Sequence, residues 1–407
     1  MRVTNNQIFF RSLNGVLSLQ EDIQKYQLQV ATGKRIQKAA DDPVAAAQSL
    51  DLGERLGALK QYDRNANLAT LRLSEQESSI ESTQNTLQRV RELILQAKNR
   101  SMTTADRRFI AAEVGERLNE VLNLGNKRNS SNEYIFAGTA VDTVPFTTNA
   151  AGTVLFNGNQ NVRELEIAEG RTLGEGLSGA AVFMAIRNGN GTFVTNLSAS
   201  NTGTGRVIND NVTDITAVTT DSFRVVFTAP NTYDLINDTS GTTVQTAQTY
   251  TDGTALAFNG VSVAITGAPA VGDAFLIGPS QHQSVFATIA KARQEMSVDL
   301  VSAELSAKFS FNLDRALGDI DLAMDSLNSI RAQIGARQNA LESQTTTNAD
   351  VSVQLETLSL SLRTSTWWKR SVVSHARPKC WKQHSRRLFE YRVCLCSIFS
   401  DSASSQG

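Results

Sequence analysis

Apolar residues return every seven positions at Phe9, Val16, Ile23 and Val30, with Leu19 and Tyr26 between them, which is the 3-4 spacing of a coiled-coil seam. A second series, Leu59, Tyr62, Ala66, Ala69, Leu73, Ile80, Leu87, Val90 and Ile94, keeps this register without a proline. At 1.5 Å per residue the stretch from Pro43 to Asn99 predicts a rod of roughly 80 Å. A third helix is expected over about Thr104 to Asn126. The pattern resumes near Ser284 and sharpens at Leu313, Leu317, Ile320, Met324, Leu327, Ile334, Leu341, Leu355, Leu358 and Leu362. Matching seams at both ends predict that the two ends pack together. Independent amphipathic helices covering a globular core would give similar stripes, but their length and the scarcity of aromatic residues favour the rod.

The first seam stops at Ala31-Thr-Gly-Lys-Arg-Ile-Gln-Lys-Ala-Ala-Asp-Asp-Pro43, where Gly33 breaks the helix. Asp42 can offer a side-chain oxygen to free N–H groups, and Pro43 at the first helical position forfeits no hydrogen bond, so a new helix is expected there. Gly33, Lys34, Arg35, Asp41 and Asp42 are therefore expected to shape a bend. A solvated loop with a capped helix is the plainer reading of the same five.

From Val141 to Ser280 the texture changes to Thr, Gly, Asn, Ser and Val, with strand-like runs such as Ser222–Phe227 and Val261–Ile265 between Gly and Asn turns. No lysine lies between Lys127 and Lys291, which delimits the change independently. Asn132–Gly138 is expected to be a short strand, and Phe-Asn-Gly turns at Phe156 and Phe258 suggest hairpins. The expected fold class is mainly α with an inserted β-rich domain projecting from the far end of a long-helix bundle. Its expected parts are 1–40, an N-terminal helix; 41–145, a helical rod; 146–280, the strand insert; 281–345, the returning rod; 346–363, the start of a C-terminal helix; and 364–407, an anomalous tail.

Catalytic chemistry finds no foothold. Before the tail the chain has one histidine, His282, and no cysteine, so neither a metal site nor a nucleophile with its base can be assembled. Asp41 and Asp42 lack the further oxygens that a hard cation recruits. Gly33-Lys34 has Leu28 and Arg35 where a phosphate loop needs a glycine and a hydroxyl residue. No cofactor, no metal and no enzymatic activity are expected. No run of 18 apolar residues suggests a bilayer span. The body before Thr364 carries 31 basic and 38 acidic residues, which argues against nucleic acid as a partner. The polar start, Met1-Arg-Val-Thr-Asn-Asn6, lacks the layout of a secretory signal, and a cysteine-free body suits export by a route without a cleaved one.

Ala31-Thr-Gly-Lys-Arg-Ile36, Asp41-Asp-Pro-Val-Ala-Ala-Ala47, Tyr134-Ile-Phe-Ala-Gly138, Pro145-Phe146, Gly272-Asp-Ala-Phe275 and Ile330–Asn339 together resemble the FlgL family of bacterial flagellar hook-associated proteins, across residues 1 to 363. The resemblance implies a structural subunit of the hook–filament junction. It would be extracellular, exported without a cleaved signal, and bound beforehand by a cytoplasmic export chaperone. Its implied partners are copies of itself in a ring, the first hook-associated protein and flagellin; neither nucleic acid nor membrane is implied. Residues 1 to about 40 would be the inner-tube helix, with Phe9, Val16, Leu19, Ile23 and Val30 at subunit contacts. Flagellin shares the Thr-Gly-Lys-Arg and Asp-Asp portion, so a filament subunit is the near alternative; a secreted fibre-tip adhesin using the strand insert is another. Leu87–Leu93 also resembles the flagellin helix recognised by an innate immune receptor, which would expose Arg89 and Leu93; bundle packing and solvated charge are the favoured reading of the same residues.

Every cysteine and tryptophan in the chain lies after Arg363, where eight basic residues face two acidic ones. FlgL-like chains end in a helix with an acidic start, and this chain departs from that after Leu362-Arg363. Permissible codons for Thr364–Ser374, read one base earlier, encode DLDMVEAVSRL, a helix of the expected kind. A single-base change in the gene, or an error in its sequence, is therefore the expected origin of the tail. A genuine basic membrane-binding tail would need separate causes for its Trp, Cys and Lys/Arg content.

Overall fold

The computed structural model describes residues 5–99 and 101–364, with side chains from Phe10 onward. The segment 365–407, with its expected change of frame, lies outside the described residues. The described residues form two compact units, one comprising Gln61–Asn348 and the other the described residues before and after it.

Helix α1 spans Asn5–Thr32 and ends where Gly33 turns into the left-handed region at φ +68°, a conformation costly for any residue with a Cβ. Helix α2 starts at Pro43 and runs unbroken to Ala97. Asp42 caps it, its Oδ1 accepting from the Ala45 N–H at 3.0 Å. Helix α3, Thr104–Gly125, opens with a reciprocal box in which Thr103 and Asp106 each accept the other's backbone N–H. After the insert, α4 spans Val285–Met296 behind the Ser284 cap, and α5 runs from Ala303 to Arg363. The boundary expected at 345/346 falls inside the continuous helix α5, three residues before the division between the two units after Asn348.

Within Gln61–Asn348 the two long helices run antiparallel, joined by side-chain pairs in a constant register: Asp63 with Asn348, Ser74 with Gln338, Gln84 with Asn328, Arg91 with Asp321 and Lys98 with Asp314. Beneath these polar pairs the second seam is filled. Ala66, Ala69, Leu73, Ile80, Leu87, Val90 and Ile94 are buried against Leu313, Ile320, Leu327, Ile334 and Leu341. Leu59 and Tyr62 are half-buried.

The expected strand at Asn132–Gly138 is instead a series of turns, with only an isolated bridge between Arg128 and Tyr134. The Asn129 side chain accepts from the N–H groups of Ser131 and Glu133, so those donors are taken locally and no ladder forms. This segment delivers Phe136 to an aromatic cluster: its ring lies 5.1 Å from Phe183, which meets Phe146 at 5.4 Å, and Phe146 meets Phe286 at 5.0 Å.

Small hairpins lead into the insert: β1 (Phe146–Thr148) with β2 (Val154–Phe156), then β3 (Glu164–Ala168) with β4 (Arg171–Gly174). Strand β5 (Ile186–Arg187) marks the outward crossing. The strand domain proper comprises β6 (Phe193–Leu197), β7 (Arg206–Val212), β8 (Phe223–Ala229), β9 (Thr232–Asn237), β10 (Thr242–Thr249), β11 (Ala255–Phe258), β12 (Val261–Thr266) and β13 (Ala274–Pro279). On the return crossing, β14 (His282–Gln283) pairs with β5. One sheet has the order β10-β9-β8-β13-β6 and the other β11-β12-β7, all antiparallel. Of the two Phe-Asn-Gly turns only the second makes a hairpin, with Asn259 and Gly260 both at positive φ between β11 and β12. The first follows β2, whose partner β1 precedes it, so no hairpin closes there.

The strand domain is seated on the flank of α5, which has two stripes. Phe309, Leu313, Ala316 and Ile320 face the helical core, while Phe311 belongs to the core of the strand domain. On that second stripe Lys308 donates to the carbonyls of Ala199 and Asn201 at 3.2 and 2.7 Å, Arg315 to Asn196, and Asp319 accepts from the Gly189 N–H at 2.9 Å.

Candidate functional site

The unit outside Gln61–Asn348 has the features of an unfinished interface. On α1, Val16 is 61% exposed, Leu19 62%, Ile23 49% and Val30 79%. The side chain of Phe9 lies outside the described residues. The end of α5 is similar, with Val353, Leu358 and Leu360 exposed. A helix with apolar residues on an open seam gains little from folding alone. Each such side chain could still contribute roughly 1 kcal/mol or more on being covered.

The connector between α1 and α2 brings the five bend residues together and joins them to the end of α5. Arg35 donates from its backbone N–H to the Arg363 carbonyl at 2.6 Å. Its guanidinium Nη2 and Nε reach the Leu362 carbonyl at 3.1 and 3.3 Å. These are two of the last carbonyls of α5, which have no partner within the helix, and a cation there also meets the negative end of the helix dipole. Lys34 forms a bridge with Thr364. Arg35 Nη1 also pairs with Asp42 at 3.1 Å, so one side chain ties the end of α5 to the cap of α2.

Asp41 closes the turn. Its Oδ2 accepts from the backbone N–H groups of Gln37 at 3.1 Å and Lys38 at 3.0 Å, and its Oδ1 pairs with Lys25 Nζ of α1 at 3.1 Å. The Lys38 N–H, the Lys25 ammonium and the Gln37 N–H hold its carboxyl down to about 2. The Ala45 N–H, helped by Arg35, holds Asp42 below the usual carboxylate range. Gln29 and Gln37 complete the knot, donating to the carbonyls of Arg35 and Leu28 at 2.8 and 3.1 Å. Sequence reading did not single out Lys25, Gln29 or Gln37. For Lys25 and Gln29 the only local signal is their spacing of one helical turn before the Gly33 break; Gln37 follows that break and carries none.

The pair proposed for receptor recognition separates. Arg89 is on the surface, engaged with Glu113 and Glu92, but Leu93 is 1% exposed in the helical core. Leu93 therefore does not share an exposed face with Arg89, because the seam of α2 rotates it inward.

Two other family segments prove to be packing devices. Gly138 sits at φ +70°, where an added Cβ would lie 2.3 Å from the Asn159 carbonyl oxygen. Asp273 is buried and accepts from the N–H groups of Thr202, Gly203 and Ala270 at 2.7, 3.0 and 2.8 Å, while Phe275 fills the strand core. A charge cluster missed by sequence reading, Arg72, Glu133, Arg163 and Glu175, staples α2 to the start of the insert. Among the described residues no helix is long and apolar enough to cross a membrane, and no three His, Cys, Asp or Glu residues gather as a metal would need.

The model of the bacterial flagellin N-terminal helical region matches residues 3–141, and that of the flagellar hook-associated protein 1 D2-like domain matches residues 196–279. Flagellar hook-associated protein 3 of Salmonella typhimurium is 27% identical over 186 residues, which are 46% of this chain and 58% of that protein. The Escherichia coli protein of the same name is 28% identical over the same shares. The match thus spans 58% of the length of these curated relatives. A crystal structure of Xanthomonas campestris FlgL superposes with a TM-score of 0.70 at 32% identity, covering 76% of this chain and 99% of that one. The flagellar junction protein FlgL of Legionella pneumophila gives 0.68 at 28% identity, covering 77% and 100%.

Proposed function

This chain belongs to the FlgL family of flagellar hook-associated proteins, and we propose that it is a structural subunit of the hook–filament junction that polymerises through its terminal helices. The observation that carries this reading is the open seam of α1, where Val16, Leu19, Ile23 and Val30 stay exposed in the single chain while the matching seam of α2 is filled. Apolar surface that the monomer leaves in water is a driving force for association. Copies in a ring would cover it, and assembly would complete the fold.

The connector adds direction to this mechanism. Arg35, Asp41 and Asp42 hold the carboxyl end of α5, the start of α2 and Lys25 of α1 in one knot. Terminal helices presented from such a knot lose less orientational freedom on assembly than helices on a slack linker. The proposed neighbours are the first hook-associated protein on the hook side and flagellin on the other, with a cytoplasmic chaperone shielding the terminal helices before export. The proposed location is the extracellular flagellum.

The test is reconstitution. Purified chain, added to hook particles already capped with the first hook-associated protein, is expected to bind and then to recruit flagellin. Val16→Asp with Ile23→Asp should abolish both steps while leaving the circular-dichroism melt of the monomer unchanged. Binding that survives the double variant would overturn the role of the α1 seam, and failure of the unaltered chain to recruit flagellin would overturn the junction reading.

A further inference from the structure

Two acids of the strand-domain seat, Asp319 buried and Asp210 half-buried, have no role in the assembly mechanism. Asp319 is 5% exposed on α5, and it engages both chain crossings into the strand domain. Its Oδ1 accepts from the Gly189 N–H of the outward crossing at 2.9 Å, and its Oδ2 accepts from Gln283 Nε2 of the return crossing at 3.3 Å. Asp210 on β7 lies in the same seat and accepts from Thr195 Oγ1 at 3.2 Å. Among the described residues neither acid has a basic group within salt-bridge distance. Between α5 and β6–β7 is a cleft of 150 Å³, lined by Asp210, Thr195, Asp314, Arg315 and Gly189 among others. That volume holds about five waters.

We propose that this seat is a proton-responsive joint, in which the carboxyl groups of Asp319 and Asp210 set how tightly the strand domain closes on α5. Ionised, Asp210 on the cleft wall draws water in, and its charge and that of the buried Asp319 oppose each other; protonated, the two allow the cleft to close. Burial pushes both carboxyls above the usual carboxylate range, against the opposing pull of Arg315 on each. Because both are raised, the closed seat is favoured fully below the unfolded acid range near 4 and is weakened as pH rises through their folded values.

The other charges round the seat do not cancel this sense. On α5, Asp314 pairs with Lys98 of α2 and with Arg206 of β7, while Arg315 donates to Asn196. From α4, Lys291 donates to Gln283 Oε1 at 2.9 Å instead of pairing with an acid. On the β5–β14 pair, His282 and Arg187 are exposed. His282 is the one imidazole near the seat, so it needs its own control.

The experiment is amide hydrogen exchange on the full chain at about pH 4.5 and about pH 7.5, with intrinsic rates corrected by an unstructured peptide. Protection of peptides covering 186–193 and 279–284 is expected to fall several-fold at the higher pH, while that of the α2 core holds. Asp319→Asn with Asp210→Asn should remove the pH dependence, and His282→Gln should preserve it. Equal corrected protection at the two pH values in the unaltered chain would overturn the proposal, whatever the variants do. So would a pH response that persists in the double variant or vanishes in His282→Gln.

Discussion

Arg35 and Leu362 are 327 positions apart in the chain, yet two guanidinium nitrogens of the first meet the carbonyl oxygen of the second at 3.1 and 3.3 Å. The contact makes Arg35 a cap for a helix that begins at Ala303, supplied from a loop near the other end of the chain. A charge-assisted bond to a carbonyl contributes about 1.5–3 kcal/mol when dry, and partial exposure of Arg35 reduces this to about 1 kcal/mol. Arg35→Gln should speed amide exchange over 358–364 several-fold without changing exchange in 303–348. Arg35→Lys, which keeps the charge but loses the fork, should fall between. Unchanged exchange at the end of α5 in Arg35→Gln would show that the cap contributes nothing.

The two seams should respond oppositely to substitution. Ile23→Asp acts on an exposed side chain, so the stability of the monomer should move by no more than about 0.5 kcal/mol while self-association is lost. Leu93→Ala removes a buried side chain from the helical core and should cost about 2–5 kcal/mol in chemical denaturation. Equal losses of stability from both would contradict the division between an open and a filled seam.

The turn at 132–138 should be among the least tolerant segments. Phe136→Ala removes a fully buried ring that packs against Phe183 at the edge of the aromatic cluster and should cost about 3–5 kcal/mol. Gly138→Ala needs both a left-handed backbone and space already held by the Asn159 carbonyl, so it should lower the melting temperature as well. A melting temperature matching that of the unaltered protein in either variant would refute this account of the segment.

Acid should loosen the connector late. Asp41 is held at about 2, so the stabilisation it gives is present above the unfolded range near 4 and is lost as pH falls towards about 2. Exchange protection of the Gln37 and Lys38 amides should therefore decline only across that window. In Asp41→Asn, which cannot pair with Lys25, the same decline should be absent. A decline centred near neutral pH would point to another group.

Much of this was legible in the chain. From Ala66 to Ile94 on α2 and from Leu313 to Leu341 on α5, the 3-4 spacing names most of the buried residues because a helix returns the same face to its partner every seven positions. Gly33 and the Asp42-Pro43 pair mark where α1 stops and α2 starts, since each has a local backbone reason to be there. The loss of lysine and gain of Thr and Gly mark the strand insert. Local chemistry also misled: Tyr134-Ile-Phe136 has strand-forming residues, but the Asn129 side chain takes the donors that a ladder would use.

What the sequence determined by itself was periodic or adjacent: helices, their caps and the β-rich insert. Only the tertiary structure decided which seam stays open, that Arg35 closes the end of α5, that Leu93 turns inward, and that Lys308, Phe311, Arg315 and Asp319 form a second stripe on α5 for the strand domain. The reason lies in the range of the forces. Helix periodicity and capping act over a few residues and leave a mark in the order of the chain. A bond between residues 35 and 362, or a carboxylate buried between a helix and two distant crossings, depends on where the whole backbone brings those groups.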